Sequence, residues 1–487
     1  MKKILLALSV AGIILITVVL YRTAYLFEDH QYQVSTSLEP VQIDTRGAIK
    51  RLSQAIKIPT ISYDDRSQFD QAAFLAFHQH LQTAFPLVHQ RTTVKKINQF
   101  SILYHLKGSD PSLKPALFMG HMDVVPVDEA TRAQWQQGPF SGAVTDTTIW
   151  GRGTIDDKVS VLALLESMEM LLAQNIQPKR GIYFAFGHDE EVGGEEGAKA
   201  IAAYLNKQNV QFEFVLDEGG VVTQDLMTGV DRPVAIIGVA EKGFVNLRLT
   251  VNAQGGHSSQ PPQHTAAGIL AQAVVNVEAS PFPTNLTFIQ DTFKHIGYFT
   301  GLETRLPLAN MWLFSPVVEN MMLATPSSAA SIRTTTAVTM LKGSSKSNIL
   351  PTQAEAVVNF RTLPGDSVKD VEHYIKGVID DPRVQITAFM ASEASPVSSI
   401  DSLGYRLIEQ TIRRLDDNLL VAPYLVQGGT DAKNFYPLSD NVYRFMMVRL
   451  NPKTLKRFHG VNEQIAIDDY LQAIQFYYAM VKQAAQG

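Results

Sequence analysis

Acidic and histidine side chains follow three short apolar runs in this sequence, at the points where the runs end. The runs and the residues after them are Ala116–Gly120 with His121 and Asp123, Gly181–Gly187 with Glu190 and Glu191, and Phe212–Leu216 with Asp217. Two further candidates are Asp156, which is paired with Asp157, and His459. Carboxylates gathered at one edge of a sheet would repel one another unless cations held them together. The pattern therefore predicts a metal site.

The residue types restrict which metal chemistry this site could perform. The chain has no cysteine, which excludes a thiol nucleophile, a cysteine-ligated zinc and disulfides. Mixed carboxylate and imidazole ligands suit zinc, manganese or cobalt, and a carboxylate that bridges two ions is the arrangement of two-metal hydrolysis. Each motif alone has an ordinary explanation: a turn, a helix N-cap or a solvated helix start. Only their joint occurrence favours a site.

The elements that would position these residues fall into two units, as a length of 487 residues also favours. Up to about residue 240, strand-like runs alternate with helical periods, which predicts an α/β unit with a mainly parallel sheet and flanking helices. Ligands bind such sheets at the carboxyl ends of the strands. Residues 241–392 show a β-α-β-β-α-β order, typical of an inserted, ferredoxin-like α+β unit. Long amphipathic helices and one more strand, Tyr443–Val448, are predicted to complete the first unit.

The N-terminal segment is predicted to hold the chain in a membrane. Lys2 and Lys3 precede an apolar run from Ile4 to Leu20, and Tyr25 follows where an interfacial belt would lie. We expect an uncleaved, single-pass helix, with the remaining chain on the periplasmic or extracellular side because the lysines stay in the cytoplasm. A cleaved signal peptide is the alternative. The formal net charge of -5 gives no reason to expect nucleic acid as a partner.

Five motifs in order resemble the signature of a di-zinc metallopeptidase family that includes carboxypeptidase S, aminoacylase, carnosinase, acetylornithine deacetylase and the N-fatty-acyl-amino-acid hydrolases. They are Gly120–Asp123, Gly151–Lys158, Asp189–Glu191 with Gly193–Gly194, Asp217–Gly220, and His459–Gly460. The resemblance implies a zinc-peptidase catalytic domain with an inserted lid, and two Zn²⁺ per subunit, with Co²⁺ or Mn²⁺ as substitutes. The roles that it implies are one zinc on His121 and Asp217, the other on Glu191 and His459, a bridge by Asp156, a general base at Glu190, and orientation of His121 by Asp123.

The resemblance extends into the lid. His257 would reach the partner subunit's site and stabilise the oxyanion, which implies a homodimer through the lid; the alternative is an ordinary loop histidine. Asn348 and Arg361 match positions that contact the substrate, and a guanidinium is suited to gripping a carboxylate. The loop of Gly428, Gly429 and Thr430 resembles one that closes over the substrate carboxylate through backbone N–H groups. The domains expected are a membrane helix (1–26), a tether (27–44), the catalytic domain (45–240 and 393–487) and the lid (241–392).

The implied reaction is metal-dependent hydrolysis of an amide bond next to a free carboxylate. A carboxypeptidase S-like enzyme would act on a small peptide, and an N-acyl amino acid amidohydrolase would act on a substrate with a fatty or aromatic acyl group. A non-catalytic binding protein on the same scaffold would have lost a ligand or the base, and none of those positions is altered. The aromatic-rich segment Pro281–Ser327 is either an enlarged lid core or an apolar wall for a hydrophobic acyl group.

Overall fold

A large mixed sheet lies at the centre of the computed structural model, which describes residues 1–29, 31, 38, 41–227 and 229–486. In chain order the strands are β1 (Thr93–Ile97), β2 (Ser101–Leu106), β3 (Ala116–His121), β4 (Thr148–Trp150), β5 (Ile182–Gly187), β6 (Phe214–Asp217), β7 (Val222–Thr223), β8 (Val234–Glu241), β9 (Gly243–Asn252), β10 (Gly256–His257), β11 (Thr335–Lys342), β12 (Ile349–Leu350), β13 (Gln353–Thr362), β14 (Val384–Ser392), β15 (Leu420–Val426), β16 (Val442–Arg444), β17 (Arg449–Leu450) and β18 (Gln464–Ala466). The helices are α1 (Lys2–Tyr25), α2 (Thr45–Ile56), α3 (Gln71–Ala84), α4 (Pro86–Arg91), α5 (Lys158–Ala173), α6 (Ala198–Lys207), α7 (Ala266–Ala279), α8 (Thr287–Ile296), α9 (Leu302–Ala309), α10 (Met311–Leu323), α11 (Pro326–Ala330), α12 (Val368–Ile379), α13 (Leu403–Leu415) and α14 (Ile467–Gln486).

The strands of the large sheet follow the order β1-β2-β5-β3-β6-β16-β8-β7-β17, and β15 pairs with β8. Its centre, β5-β3-β6-β16, is parallel, whereas β1 and β2 add an antiparallel margin. Strand β3 is buried along its whole length, as expected for a parallel strand that is covered on both faces. The predicted α/β class, with a mainly parallel sheet and flanking helices, is confirmed.

Helix α5 fixes one of the chemistry-bearing segments in the core. It begins directly after the Asp156–Asp157 pair and is buried from Lys158 to Met168, because nearly all of its sides are apolar. It packs against α14 and β3. The buried ammonium of Lys158 donates hydrogen bonds to the carbonyl oxygens of Ala55 (3.1 Å) and Ile58 (2.6 Å). The start of α5 is therefore held firmly beside the parallel strands.

A separate antiparallel sheet has the order β11-β13-β9-β14 and belongs to the unit predicted to be the lid, which keeps that name below. Helices α7 and α12 cover one face of it, and buried residues alternate along β9 as in a sheet with one covered face. The predicted β-α-β-β-α-β order is present. The short strands β10 and β12 pair with each other near the end of the lid sheet where Asn252 of β9 pairs with Gln353 of β13.

The aromatic-rich segment forms helices α8 to α11, which pack mainly outside the lid core. Helix α8 contacts β15 of the large sheet, and α9 contacts α1. Ile289, Leu308 and Val318 form a small buried cluster together with Phe27. Phe282, in contrast, belongs to the hydrophobic core of the lid. The interpretation as an enlarged lid core therefore holds for only the first part of this segment.

Three details differ from the sequence predictions. Strand β15 was not predicted, and the predicted strand Tyr443–Val448 is a shorter strand, β16, followed by buried irregular chain. The predicted tether is also not free where it is described, because Phe27 and Gln31 are buried in the body. The Gln31 amide donates to the carbonyl oxygen of Val421 at 3.2 Å and accepts from its N–H at 2.7 Å. Residues 30, 32–37 and 39–40 of that tether lie outside the described residues.

Candidate metal centre

Adjacent parallel strands bring the predicted ligands to one edge of the large sheet. His121 ends β3 and Asp217 ends β6, while Glu190 and Glu191 follow closely after β5. Strand β3 lies between β5 and β6. Since the carboxyl ends of parallel strands share one edge, these residues converge there, and the start of α5 adds Asp156.

The carboxylate of Asp156 lies between two imidazoles. One oxygen, Oδ1, is 2.8 Å from Nε2 of His121, and the other, Oδ2, is 2.8 Å from Nε2 of His459. The Nε2 atom of His459 is also 3.3 Å from Oε2 of Glu191. A single carboxylate thus presents one oxygen to each side of the cluster, as a bridging ligand would.

The cluster fits a divalent cation on its own geometry. His121, Asp156 and Glu191 each offer a ligand atom, and these atoms lie within 4.8 Å of one another. Oε1 of Glu191 and Oδ2 of Asp217 are buried without a hydrogen-bond partner among the described residues. Buried oxygens of this kind are costly unless something satisfies them. Oxygen and imidazole donors with unsatisfied lone pairs are what a zinc, manganese or cobalt ion needs.

Asp123 supports both the histidine and the glutamate pair. Nδ1 of His121 lies 3.0 Å from the backbone oxygen of Asp123 and 3.4 Å from its Oδ1. The same carboxylate accepts the backbone N–H groups of Glu190 at 3.2 Å and Glu191 at 3.1 Å. A proton held on Nδ1 leaves Nε2 of His121 free as a ligand atom.

Burial and mutual repulsion perturb the charges of the cluster. Burial, and then the negative charge of Asp156, raises the pKa of Glu191 to about 7, and burial raises the pKa of Asp217 to about 6. Burial, with Asp431, Glu191 and Asp156 nearby, raises the pKa of Glu190 well above its usual value. Hydrogen bonds that the His459 ring donates to Asp156 and Glu191 raise the pKa of His459 to about 10. The protein alone thus retains protons here, which cations would displace.

A buried ion pair that sequence reasoning missed connects the segments of Asp156 and His459. Nη1 of Arg152 is 2.6 Å from Oε2 of Glu463, and both side chains are almost fully buried. Nη2 of Arg152 donates to the carbonyl oxygens of His459 (3.2 Å) and Gly460 (3.1 Å). Oε1 of Glu463 accepts the backbone N–H groups of Gly153, Ile155 and Asp156 at 2.8–3.3 Å. The motif Gly151–Lys158 contained Arg152, but nothing local indicated a partner for it.

Further buried acids surround the cluster. Oδ2 of Asp157 accepts the backbone N–H of His121 at 3.3 Å. Burial, and then Asp217, raises the pKa of Asp431 well above its usual value. A Cβ atom at Gly194 would clash with Oδ1 of Asp431, and the φ of Gly194 is +70°. The second glycine of the Gly193–Gly194 pair is therefore required by this close approach.

Two of the predicted lid residues lie together at the end of the lid that is distant from the large sheet. Asn348 precedes β12 and His257 ends β10, and the carbonyl oxygen of Asn348 accepts the N–H of Ser258 at 3.2 Å. Both residues are exposed. Strand β9, which runs from the large sheet to this end, has ten residues and so spans about 30 Å. The structure therefore does not bring His257 or Asn348 to the metal cluster of the same chain.

Arg361 and the glycine loop lie at the opposite end of the lid, close to the large sheet. Arg361 stacks over Phe244, with the guanidinium carbon 4.7 Å from the ring centre. Gly428 and Gly429 are exposed, but the N–H of Thr430 donates to Oε2 of the buried Glu241 at 3.1 Å. In this conformation the N–H of Thr430 is therefore engaged by Glu241, and its contact with a substrate stays a prediction. The N–H of Thr430 and Nε of Arg444, which lies 3.1 Å from Oε2 of Glu241, together stabilise this buried carboxylate.

A family model described as peptidase family M20/M25/M40 matches residues 117–483. A probable carboxypeptidase S-like protein 2 from Dictyostelium discoideum is 41% identical over 438 residues, which cover 89% of this chain and 84% of that protein. The N-fatty-acyl-amino acid synthase/hydrolase PM20D1 of Xenopus tropicalis is 37% identical over 489 residues, covering 99% of this chain and 95% of that protein.

The fold is similar to that of solved metallopeptidases. The metallo-carboxypeptidase Sso-CP2 from Sulfolobus solfataricus superimposes with a TM-score of 0.67 at 17% identity, over 90% of this chain and 99% of that structure. At this identity the likeness concerns the fold.

Proposed function

Because the chain belongs to peptidase family M20/M25/M40 and is similar to a probable carboxypeptidase S-like protein and to an N-fatty-acyl-amino acid synthase/hydrolase, we propose that it hydrolyses an amide bond adjacent to a free carboxylate. The observation that carries the proposal is the Asp156 carboxylate, which presents one oxygen to His121 and the other to His459. We propose two zinc ions, one on His121 and Asp217, the other on Glu191 and His459, with Asp156 between them. When bound, such ions would polarise the amide carbonyl and lower the pKa of the attacking water.

The side chains of this protein would then move the protons and hold the substrate. Glu190 accepts a proton from the attacking water and returns it to the leaving nitrogen. The peptide N–H groups of Glu190 and Glu191 are held by Asp123, which keeps the base and the ligand in register. Arg361 binds the free carboxylate of the substrate; its planar guanidinium, stacked over Phe244 at the end of the lid near the large sheet, supports this role.

The test compares dipeptides and N-acyl amino acids with the same compounds whose carboxylate is blocked as an amide or methyl ester. We expect zinc-dependent hydrolysis of the free acids by the purified full-length chain, and a large loss of kcat/KM for the blocked ones. In Arg361→Ala the discrimination between free and blocked substrates should shrink. Equal rates on free and blocked compounds would show that the carboxylate is not recognised.

A fatty-acyl amino acid is a second candidate substrate; the similarity to an N-fatty-acyl-amino acid synthase/hydrolase supports it, and we propose that one cavity receives the acyl group. The cavity has a volume of about 290 Å³ and lies between β8, β15, α8 and the segment after the lid. Its mostly apolar lining includes Val239, Phe288, Ile400 and Leu425. Phe288 comes from the aromatic-rich segment, as an acyl wall would require. Phe288→Asp should reduce kcat/KM for a long-chain N-acyl amino acid while sparing a dipeptide; equal losses on both would favour the peptide substrate.

We also propose that α1 stays attached as a membrane anchor. It is 24 residues long with a mean hydropathy of 2.8 over its most apolar window, which is enough to span a bilayer. The packing of its last turns supports retention, because Val19 and Thr23 are buried against the body. Cleavage of α1 would expose the surface of the body that these residues cover. N-terminal sequencing of protein from membranes should find Met1 or Lys2, and a mature N-terminus beyond Tyr25 would contradict the anchor.

Finally, we propose that two chains pair through their lids. The support is that the edge strands β11 and β14 of the lid expose the large apolar side chains Met340, Leu341 and Met390. His257, exposed at the end of the lid, would then lie within reach of a neighbouring chain.

A further inference from the structure

Helix α10 exposes apolar side chains to an extent that is unusual for a water-facing helix. Glu319 is the only charged residue within Met311–Leu323, and Val318 is its only buried residue. Leu313, Val317 and Met321 have 41%, 46% and 37% of their surface exposed, and Val317 and Met321, which follow the kink at Phe314 and are four residues apart, share one face. A largely apolar helix is more typical of a protein core or a membrane than of a water-facing surface. The described body of the protein does not cover this one.

Asn310, between α9 and α10, joins this surface to the N-terminal helix. It is fully buried, and its amide donates to the carbonyl oxygen of Val19 at 3.2 Å and to the hydroxyl of Thr23 at 3.0 Å. Nε of Arg22 donates to the carbonyl oxygen of Ala309 at 3.1 Å. Helix α10 therefore starts directly beside the last turns of α1. The most apolar stretch of α1 is otherwise uncovered, with 0% of its window buried.

The depth of this contact along α1 matches the outer boundary of a bilayer. Val19 lies 16 residues after Lys3, which is roughly 24 Å of helix at about 1.5 Å per residue. The hydrocarbon core is about 30 Å thick. With the lysines at the inner headgroups, Val19 lies just inside the outer edge. Tyr25, which is 67% exposed, then lies at headgroup level, where tyrosine is enriched.

We propose that α9 and α10 form a membrane-contact surface, with the exposed face of α10 in the outer headgroup–acyl boundary beside α1. This inference rests on the proposed anchor and goes beyond it, because it gives the catalytic unit a fixed face towards the lipid. The occupant is a phospholipid bilayer rather than a second chain, because α1 brings the bilayer to Asn310. Trp312, 56% exposed at the first turn of α10, is the residue type that such boundaries favour.

Spin labels on single cysteines test this surface, and the chain has no native cysteine to interfere. Leu313→Cys and Val317→Cys report on α10 in the full-length protein reconstituted in phosphatidylcholine vesicles. Val94→Cys, 37% exposed on β1 at the opposite end of the sheet order from β17, is the matched control. Ile13→Cys, 64% exposed in the middle of α1, reports on the anchor itself. The readout is the collision rate of each label with apolar oxygen and with a water-soluble nickel chelate.

We expect the oxygen-to-nickel collision ratio at positions 313 and 317 to be several-fold higher than at 94 and to approach that at 13. Nickel accessibility at 313 and 317 equal to that at 94, with 13 still lipid-exposed, would overturn the membrane-contact surface and leave the anchor intact. Labels excluded from both reagents would mean that protein covers α10, which also overturns it. A water-exposed label at 13 would refute the anchor and this inference together. All four positions are exposed, so the labels should leave folding intact, as cooperative thermal unfolding of each variant would verify.

Discussion

Glu463→Gln should weaken metal binding although Glu463 is not itself expected to be a ligand. The substitution keeps one oxygen for the N–H groups of Gly153 and Ile155, but it places an amide N–H₂ against Nη1 of Arg152, which lies 2.6 Å from the native carboxylate. Breaking a buried ion pair from one side costs about 3–5 kcal/mol, because the remaining charge is left uncompensated. Arg152 would then release the backbone that carries His459. Loss of a group that orients a metal ligand costs about 10–100-fold in metal affinity.

The measurements are zinc content after dialysis against buffered zinc concentrations and urea unfolding of the detergent-solubilised protein. The matched control is Glu166→Gln, which breaks another buried pair, with Nε of Arg51 2.5 Å from Oε1, away from the ligand segments. Arg51 is 23% exposed, so this loss of stability should be smaller, about 1.5–3 kcal/mol, and zinc affinity should not change. Wild-type zinc affinity in Glu463→Gln, or an equal loss in Glu166→Gln, would refute the reasoning.

Three other perturbations test the remaining assignments. Glu190→Gln should retain both zinc ions and lose about 10²–10⁴-fold in kcat; loss of zinc from this variant would mean that the roles of Glu190 and Glu191 are reversed. Burial, and then the nearby charge of Arg361, lowers the pKa of Lys242 from 10.5 to about 7. Between these two pH values the folded state therefore binds fewer protons than the unfolded state. The free energy of unfolding of the wild type, measured in urea, should therefore rise from pH 7 to 10, by up to about 1.4 kcal/mol per pH unit more than that of Lys242→Met. If the free energies of the two proteins change in parallel with pH, the pKa of Lys242 is not lowered in this way. Subunits carrying His257→Ala or Glu190→Gln should each be nearly inactive but regain activity when mixed, because one site of the hybrid dimer then has both groups; no regain, despite demonstrated exchange, would place His257 outside the neighbouring site.

The parts of the candidate site that could be predicted are those with a local signal. His121, Glu190 and Asp217 each follow an apolar run, and the runs had to be neighbours in a parallel sheet for the residues to meet. The helical period after Asp157 likewise located the start of α5. In each case a few consecutive residues carried the information, so a single sequence was sufficient.

The parts that could not be predicted depend on partners that are distant in the chain. Arg152 and Glu463 are 311 positions apart, and neither lies in a periodic pattern that would indicate burial. Strand β15 was missed because Pro423 interrupts an otherwise strand-like run. Among the described residues β15 pairs only with β8, so it is an edge strand, the kind of strand that tolerates proline. The run from Val442 to Val448 is buried throughout, and a short apolar run does not reveal whether its backbone is extended.

The glycine loop shows why a matching motif does not determine the direction of a hydrogen bond. The motif led to the expectation that Thr430 offers its N–H to a carboxylate, and the structure does direct this N–H at a carboxylate, that of Glu241. Glu241 ends β8, immediately before the lid strand β9, and its other partner is the buried Arg444. A second carboxylate could reach the Thr430 N–H only by displacing Glu241 and leaving Arg444 without its charge partner, which is costly in a buried position. We therefore expect a substrate carboxylate beside Arg361 to be bound by the exposed N–H groups of Gly428 and Gly429, while Thr430 ties the loop to the base of the lid.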